Sequence, residues 1–153
     1  MLWVILLRAS GVPLRVTTTI LSLLVGFATG CTTSAPDRPD VVLITWDTVR
    51  ADHVGNASTP TWNALAADGA VFTEARSPVP LTLPAHASMM TGENPPRHGA
   101  RDNGTWPVVD GLPILAEHFR SEGWTTGAFV SASVLDSRYG IARGFSTYND
   151  HIR

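Results

Sequence analysis

At 153 residues with 44% hydrophobic residues the chain can bury one core and not two, and a net charge of −2 removes any electrostatic case for a nucleic-acid partner. All eleven basic residues are arginine, so chemistry that needs a reactive lysine amine is excluded. Cys31 is the single cysteine, which excludes an internal disulfide.

Residues 1–30 read as an export signal. Arg8 and Arg15 are the only charges before Asp37, Val16 to Phe27 is apolar or hydroxylic, and the small residues Ala28, Thr29 and Gly30 precede Cys31. That is a basic n-region, a short apolar h-region and a small-residue cleavage site. Cys31 falls where a bacterial lipoprotein signal places its lipidated residue, although Ala28 stands where leucine is usual. Plain secretory cleavage and an uncleaved anchor are the alternatives, since residues 1–30 are nearly long enough to span a bilayer. Each of the three implies an exported protein of the cell envelope or periplasm, and two of them hold it at the membrane. Residues 31–40 form a polar, proline-containing linker, and residues 41–153 make up the folded part.

The folded part opens with Val41-Val-Leu-Ile-Thr45, a β-branched run predicted to be a buried parallel strand. Trp46-Asp47-Thr48 follows, and a carboxylate there lies at the carboxyl edge of the sheet, where open α/β sheets collect ligands. Asp47 is a candidate metal ligand or a turn cap. Arg50, Asp52 and His53 read as a solvated loop. Thr59 as cap, Pro60 at the first helical position, Trp62, Leu65 and Ala66 on one face and Gly69 as stop predict a short amphipathic helix. Val71 to Ala75 alternates like a strand.

Pro78-Val-Pro-Leu-Thr-Leu-Pro-Ala-His-Ala-Ser-Met-Met-Thr-Gly92 is the stretch around which the rest is organised. It predicts a helix from Pro84 to Gly92, which sets Thr82 just before a helix N-terminus, where unpaired N–H groups and the helix dipole favour an anion. Its hydroxyl is a cap or a nucleophile. Residues 93–110 read as a long loop of the kind that is functional or disordered. Leu112 to Glu122 predicts a helix with Leu112, Leu115, Ala116 and Phe119 on one face, Thr125 to Val130 a buried strand, and residues 136–153 a loop without strand or helix. Alternating strands and helices make the fold class α/β.

Arg38 to His53, Thr59-Pro60, Ala67 to Phe72, Leu81 to Gly92 and His98-Gly99 resemble, in order and spacing, the N-terminal third of the sulfatase family. That family belongs to the alkaline phosphatase superfamily of metal-dependent ester hydrolases. The resemblance covers nearly all of residues 38–150 and implies a mixed sheet with flanking helices, here only the N-terminal part of one.

The resemblance also implies roles. Asp47 matches the family's first metal-binding aspartate, and Thr48 stands where many sulfatases have a second. Thr82 occupies the nucleophile position, which in sulfatases is a cysteine or serine converted to formylglycine within Cys-x-Pro-x-Arg. Here the segment is Thr82-Leu-Pro-Ala-His86, so no formylglycine is expected and His86 replaces the arginine. Threonine nucleophiles belong to phosphodiesterase and phosphoglycerol-transferase relatives, in which an asparagine at about the spacing of Asn103 donates to a phosphate oxygen. The implied enzyme holds a divalent ion (Zn2+, Mn2+ or Ca2+) through Asp47 and Thr82 and attacks a small-molecule, lipid or carbohydrate ester of sulfuric or phosphoric acid, with the threonine favouring phosphate. Metal coordination would activate the otherwise poorly nucleophilic hydroxyl. His86 would assist as a catalytic group, with His98 and Asn103 at the substrate.

A metal site needs several ligands, and the family's remaining ones lie in downstream Asp-His-Gly motifs. Asp150-His151 is a weak substitute. The expectation is therefore a chain lacking part of its metal site and inactive alone; the alternative is a non-catalytic exported lipoprotein or a partner-dependent subunit.

Overall fold

A computed structural model describes the backbone of residues 2–9 and all of residues 38–152. It is an α/β arrangement: β1 (Leu2–Ala9), β2 (Val41–Trp46), α1 (Pro60–Asp68), α2 (Thr82–Thr91), α3 (Pro95–His98), α4 (Leu115–Ser121), β3 (Trp124–Phe129) and β4 (Thr147–Asn149). The sheet order is β2-β1-β3-β4. β1 is antiparallel to both its neighbours, and β3 and β4 are parallel, so β2, β3 and β4 run in one direction. The mixed sheet with flanking helices matches the expectation.

α2 is the centre of the core. Leu83, Ala87 and Met90 recur at helical spacing and are buried against Ala100, Val108, Ile114, Ala128, Leu135 and Ile141. Gly92, at φ 70°, takes the left-handed cap conformation and donates its N–H to the Ser88 carbonyl at 2.8 Å, which ends the helix. At the start of α4 the Glu117 carboxylate accepts the Ile114 N–H at 2.9 Å. Gly144 lies against that same turn, where a Cβ would come within 2.3 Å of the Glu117 nitrogen, so only glycine fits. The Tyr148 hydroxyl donates to the Leu135 carbonyl at 2.5 Å and ties β4 down.

Five expectations are corrected. β2 is a sheet-edge strand paired antiparallel to β1 rather than a buried parallel one: Val42, Ile44 and Trp46 are 50%, 53% and 51% exposed, because among the described residues no helix covers that face. Val71 to Ala75 is irregular, since no strand among the described residues pairs with it. α2 begins at Thr82, two residues before Pro84, because proline at the third helical position also needs no N–H partner. The 93–110 loop contains the short helix α3, and the tail contains β4. α1 forms where expected, but none of its residues is buried, so among the described residues its apolar face, with Leu65 at 66% exposure, has no partner.

Leu2–Ala9 lies within the segment read as a leader, yet here it pairs with β2 and β3. Leu2–Ala9 falls in the n-region of that leader, ahead of the Val16 to Phe27 apolar run, and its own apolar residues suit a central strand. Cys31 and the rest of the predicted signal lie outside the described residues. Among the described residues, no helix is long and apolar enough to cross a membrane.

Candidate active site

The site forms where β2 ends against the start of α2. Strand alternation turns Leu43 and Thr45 toward α2, and the chain then leaves the sheet through Asp47. Thr48 has φ 59°, a left-handed conformation that a β-branched residue adopts at a cost of about 1–3 kcal/mol. Its N–H donates to Asp47 Oδ1 at 3.0 Å, which fixes the carboxylate. Thr82 Oγ1 donates to the other oxygen, Oδ2, at 3.0 Å. The nucleophile candidate and the acidic candidate, 35 positions apart in sequence, are therefore in direct contact.

Thr82 is the first residue of α2, with Leu81 extended before it at φ −130° and ψ 139°. The helix start is less open to an anion than its sequence suggests. Leu83 N–H donates to Asn103 Oδ1 at 2.9 Å, Pro84 has no N–H, and Ala85 N–H donates to the Leu81 carbonyl at 3.0 Å. The dipole remains, with the Thr82 N–H at its head. With Oδ1 committed to Leu83, the Nδ2 amide of Asn103 is the side chain's donor.

His86, 3% exposed, stands one helical turn behind Thr82. Nδ1 lies 2.7 Å from the Thr82 carbonyl, which can only accept, so Nδ1 carries the hydrogen. Nε2 then accepts from the Thr45 hydroxyl at 3.0 Å. Burial pushes the His86 pKa below the ordinary imidazole value, against the opposing pull of the Thr82 carbonyl and the Asp47 charge. His86 is thus a neutral brace between β2 and α2. Thr45, its partner, escaped the sequence reading; the available signal was a lone hydroxyl on the α2-facing side of an apolar strand.

An open cleft of about 820 Å3 lies over the pair, lined by Asp47, Arg50, Arg76, Thr82, His86 and Met89 among others. Arg50 is paired with Asp52 at 2.6 Å and Arg76 with Glu74 at 3.3 Å, all on exposed side chains. His98 does not line the cleft. It is fully buried, with Nε2 2.9 Å from Ser88 Oγ and Nδ1 accepting the Ala100 N–H at 3.2 Å, so its expected place at the substrate is corrected to a core position joining α2 to α3. Asp150 accepts the Ser137 N–H at 2.9 Å, a bond that holds its carboxyl below the usual range. That contact ties Asp150 to a turn.

Asp47 and Thr82 offer two kinds of oxygen donor, whereas hard divalent ions take six or more ligands. Among the described residues no group of three or more His, Cys, Asp or Glu side chains could hold a metal ion. The residues in hand do not make a complete metal site.

Residues 41–136 match the family described as type I phosphodiesterase / nucleotide pyrophosphatase. The chain belongs to that family. The match takes in β2, α1 to α4 and β3, and with them Asp47, Thr82, His86, His98 and Asn103. Within the wider alkaline phosphatase superfamily the phosphodiesterase-family chain also resembles the N-terminal part of sulfatases. It is 34% identical over 96 residues to an ulvan-active sulfatase of Formosa agariphila, covering 60% of this chain and 19% of that protein. It is 34% identical over 116 residues to human arylsulfatase A, covering 69% and 22%, and 32% identical over 116 residues to the bovine protein, covering the same shares. The chain thus spans about a fifth of the length of these relatives. No solved structure matches it.

Proposed function

We propose that this family member is a hydrolase of phosphoric esters in which Thr82 is the nucleophile. The observation that carries the reading is the 3.0 Å hydrogen bond from Thr82 Oγ1 to Asp47 Oδ2 at the head of α2. As Thr82 Oγ1 attacks phosphorus, its proton passes to Asp47 Oδ2, the bond to the leaving oxygen breaks, and a phospho-threonine forms for water to hydrolyse. The α2 dipole, the Thr82 N–H and the Asn103 Nδ2 amide supply positive potential and donors for the non-bridging oxygens. His86 holds the Thr82 backbone by its carbonyl, which fixes the direction of Oγ1.

A divalent metal, which superfamily members use, would supply Lewis acidity at this position; Asp47 and Thr82 could hold it only together with ligands from outside the described residues. The exported, membrane-anchored location remains part of this reading and rests on the composition of residues 1–31.

A sulfate ester is the second reading, favoured by the sulfatases among the curated relatives. Against it stands Thr82 itself, which cannot become formylglycine. Assaying the metal-complete enzyme with paired aryl phosphodiester and aryl sulfate substrates separates the two. Phosphodiester cleavage that Thr82→Ala abolishes supports the proposal; faster sulfate cleavage, or turnover unchanged in that variant, overturns it.

A further inference from the structure

We infer that the cleft between the 98–110 loop and the turn at 138–140 binds a small aromatic carboxylate, with Arg101 as the anchor for the carboxylate and Trp106 as the surface for the ring. The cleft has a volume of about 570 Å3 and shares no lining residue with the cleft over Thr82. The inference therefore does not rest on the esterase reading.

The floor of the cleft is held from several directions. Val108 N–H donates to the Tyr139 carbonyl at 3.0 Å and Val109 N–H to the His98 carbonyl at 2.9 Å, so three stretches of chain are joined around the buried Val108. A concave, preformed floor of apolar groups with a few charged ones at its margin is the usual form of a small-molecule site. Beside it the chain turns sharply, closed by the Thr105 N–H donating to Asp102 Oδ1 at 2.8 Å. That turn leaves Asn103 on α2 and Trp106 on the second cleft.

The charges at the cleft are not balanced. Arg50, Arg76, Arg97 and Arg138 each lie 2.6 to 3.3 Å from a carboxylate oxygen. The Arg101 guanidinium has no ion pair or hydrogen bond among the described residues, and stands instead 6.0 Å from the centre of the Trp106 ring. A guanidinium stacked by its face keeps its in-plane N–H groups, the donors that hold a carboxylate through two parallel bonds. Trp106 is 52% exposed, which leaves indole surface for another ring. Arg138 also lines the cleft and adds positive potential, reduced by its pairing with Asp136.

The rest of the lining selects the kind of anion. It contains no hydroxyl or amide side chain, and its one carboxylate, Asp110, is fully exposed to solvent. A sugar acid would bring hydroxyl groups against Pro107, Val108 and Val109 with no side-chain partner for them, which is costly when such groups lose water. A flat aromatic ring needs no partners there and stacks on indole.

The test is an NMR titration of the isotope-labelled 153-residue chain with 2-naphthoate. Binding should saturate with a Kd of about 1 mM, ordinary for a ligand of this size, and the indole N–H signal that is missing from Trp106→Leu should move. Arg101→Gln, at an exposed position, should keep the melting temperature of the parent chain and weaken binding at least about tenfold. Thr82→Ala should leave binding unchanged. The uncharged isostere 2-naphthylmethanol and the hydroxylated acid glucuronate should each bind at least about tenfold more weakly than naphthoate. Absence of saturable binding overturns the proposal. So does equal binding of the alcohol, which would make the cleft an apolar patch, or tighter binding of glucuronate, which would make it a sugar-acid site. Naphthoate binding that Arg101→Gln spares or Thr82→Ala weakens would place the ligand elsewhere and equally overturn it.

Discussion

Asn103 offers a perturbation whose size follows from one contact. Its Oδ1 accepts the N–H of Leu83, a fully buried residue in the first turn of α2. Asn103→Ala leaves that N–H without a partner, at a cost of about 1–3 kcal/mol, in line with about 0.5–2 kcal/mol for losing a helix N-terminal acceptor. For an ordered part of this size each kcal/mol lowers the melting temperature by about 4 °C, so the loss should lower it by about 4–12 °C. Asn103→Asp keeps the acceptor and places a negative charge at the helix N-terminus, so its stability should stay within about 1 kcal/mol of wild type. The aspartate lacks the Nδ2 donor and repels an anionic substrate, so the stable variant should lose ester cleavage in an assay of the metal-complete enzyme. Thermal melts by circular dichroism, paired with that assay, read both effects. Asn103→Ala melting with wild type, or Asn103→Asp falling as far as Asn103→Ala, would refute the capping argument.

Other consequences follow from the same coordinates. Leu83→Ala removes a fully buried side chain from the core and should cost about 2–5 kcal/mol in a denaturant melt. Gly144→Ala should fail to reach the native fold or lose several degrees of melting temperature, because its Cβ meets the Glu117 backbone at 2.3 Å and its φ is 80°. His86 has a depressed pKa, so the unfolded chain binds its proton first; stability should be full above about pH 6.5 and fall as pH drops through the lower folded-state value. In His86→Gln that part of the acid slope should disappear, as measured by urea midpoints between neutral and mildly acidic pH. The 153-residue chain alone should show no measurable ester hydrolysis, since its described residues do not complete a metal site; robust EDTA-sensitive turnover would show that they suffice.

What was legible in the sequence was local or carried by linked blocks. The β-branched run to Asp47 and the Pro78 to Gly92 stretch announced a strand end and a helix start, and the family resemblance joined them. The contact between Thr82 and Asp47 needed the fold to be seen, since nothing local links them. Other features depended on distant partners. The burial of His98 depends on Ser88 and the Ala100 N–H, neither of which marks the histidine as structural in sequence. β4 is three residues long and exists because β3 pairs with it. Val71 to Ala75 has the alternation of a strand but, among the described residues, no neighbour to pair with. The occupation of Asn103 Oδ1 by Leu83 N–H closes part of the anion site that a bare helix start implies.

The central claim is that Thr82 Oγ1, held by Asp47, becomes bonded to the transferred group. The most direct measurement is intact-protein and peptide mass spectrometry of the metal-complete enzyme, quenched during turnover of an aryl phosphodiester. A phosphoryl adduct, retaining the ester's second substituent, on the peptide containing Thr82 and absent from Thr82→Ala is the predicted result. Turnover with no adduct on that residue, or with the same adduct elsewhere, would contradict it.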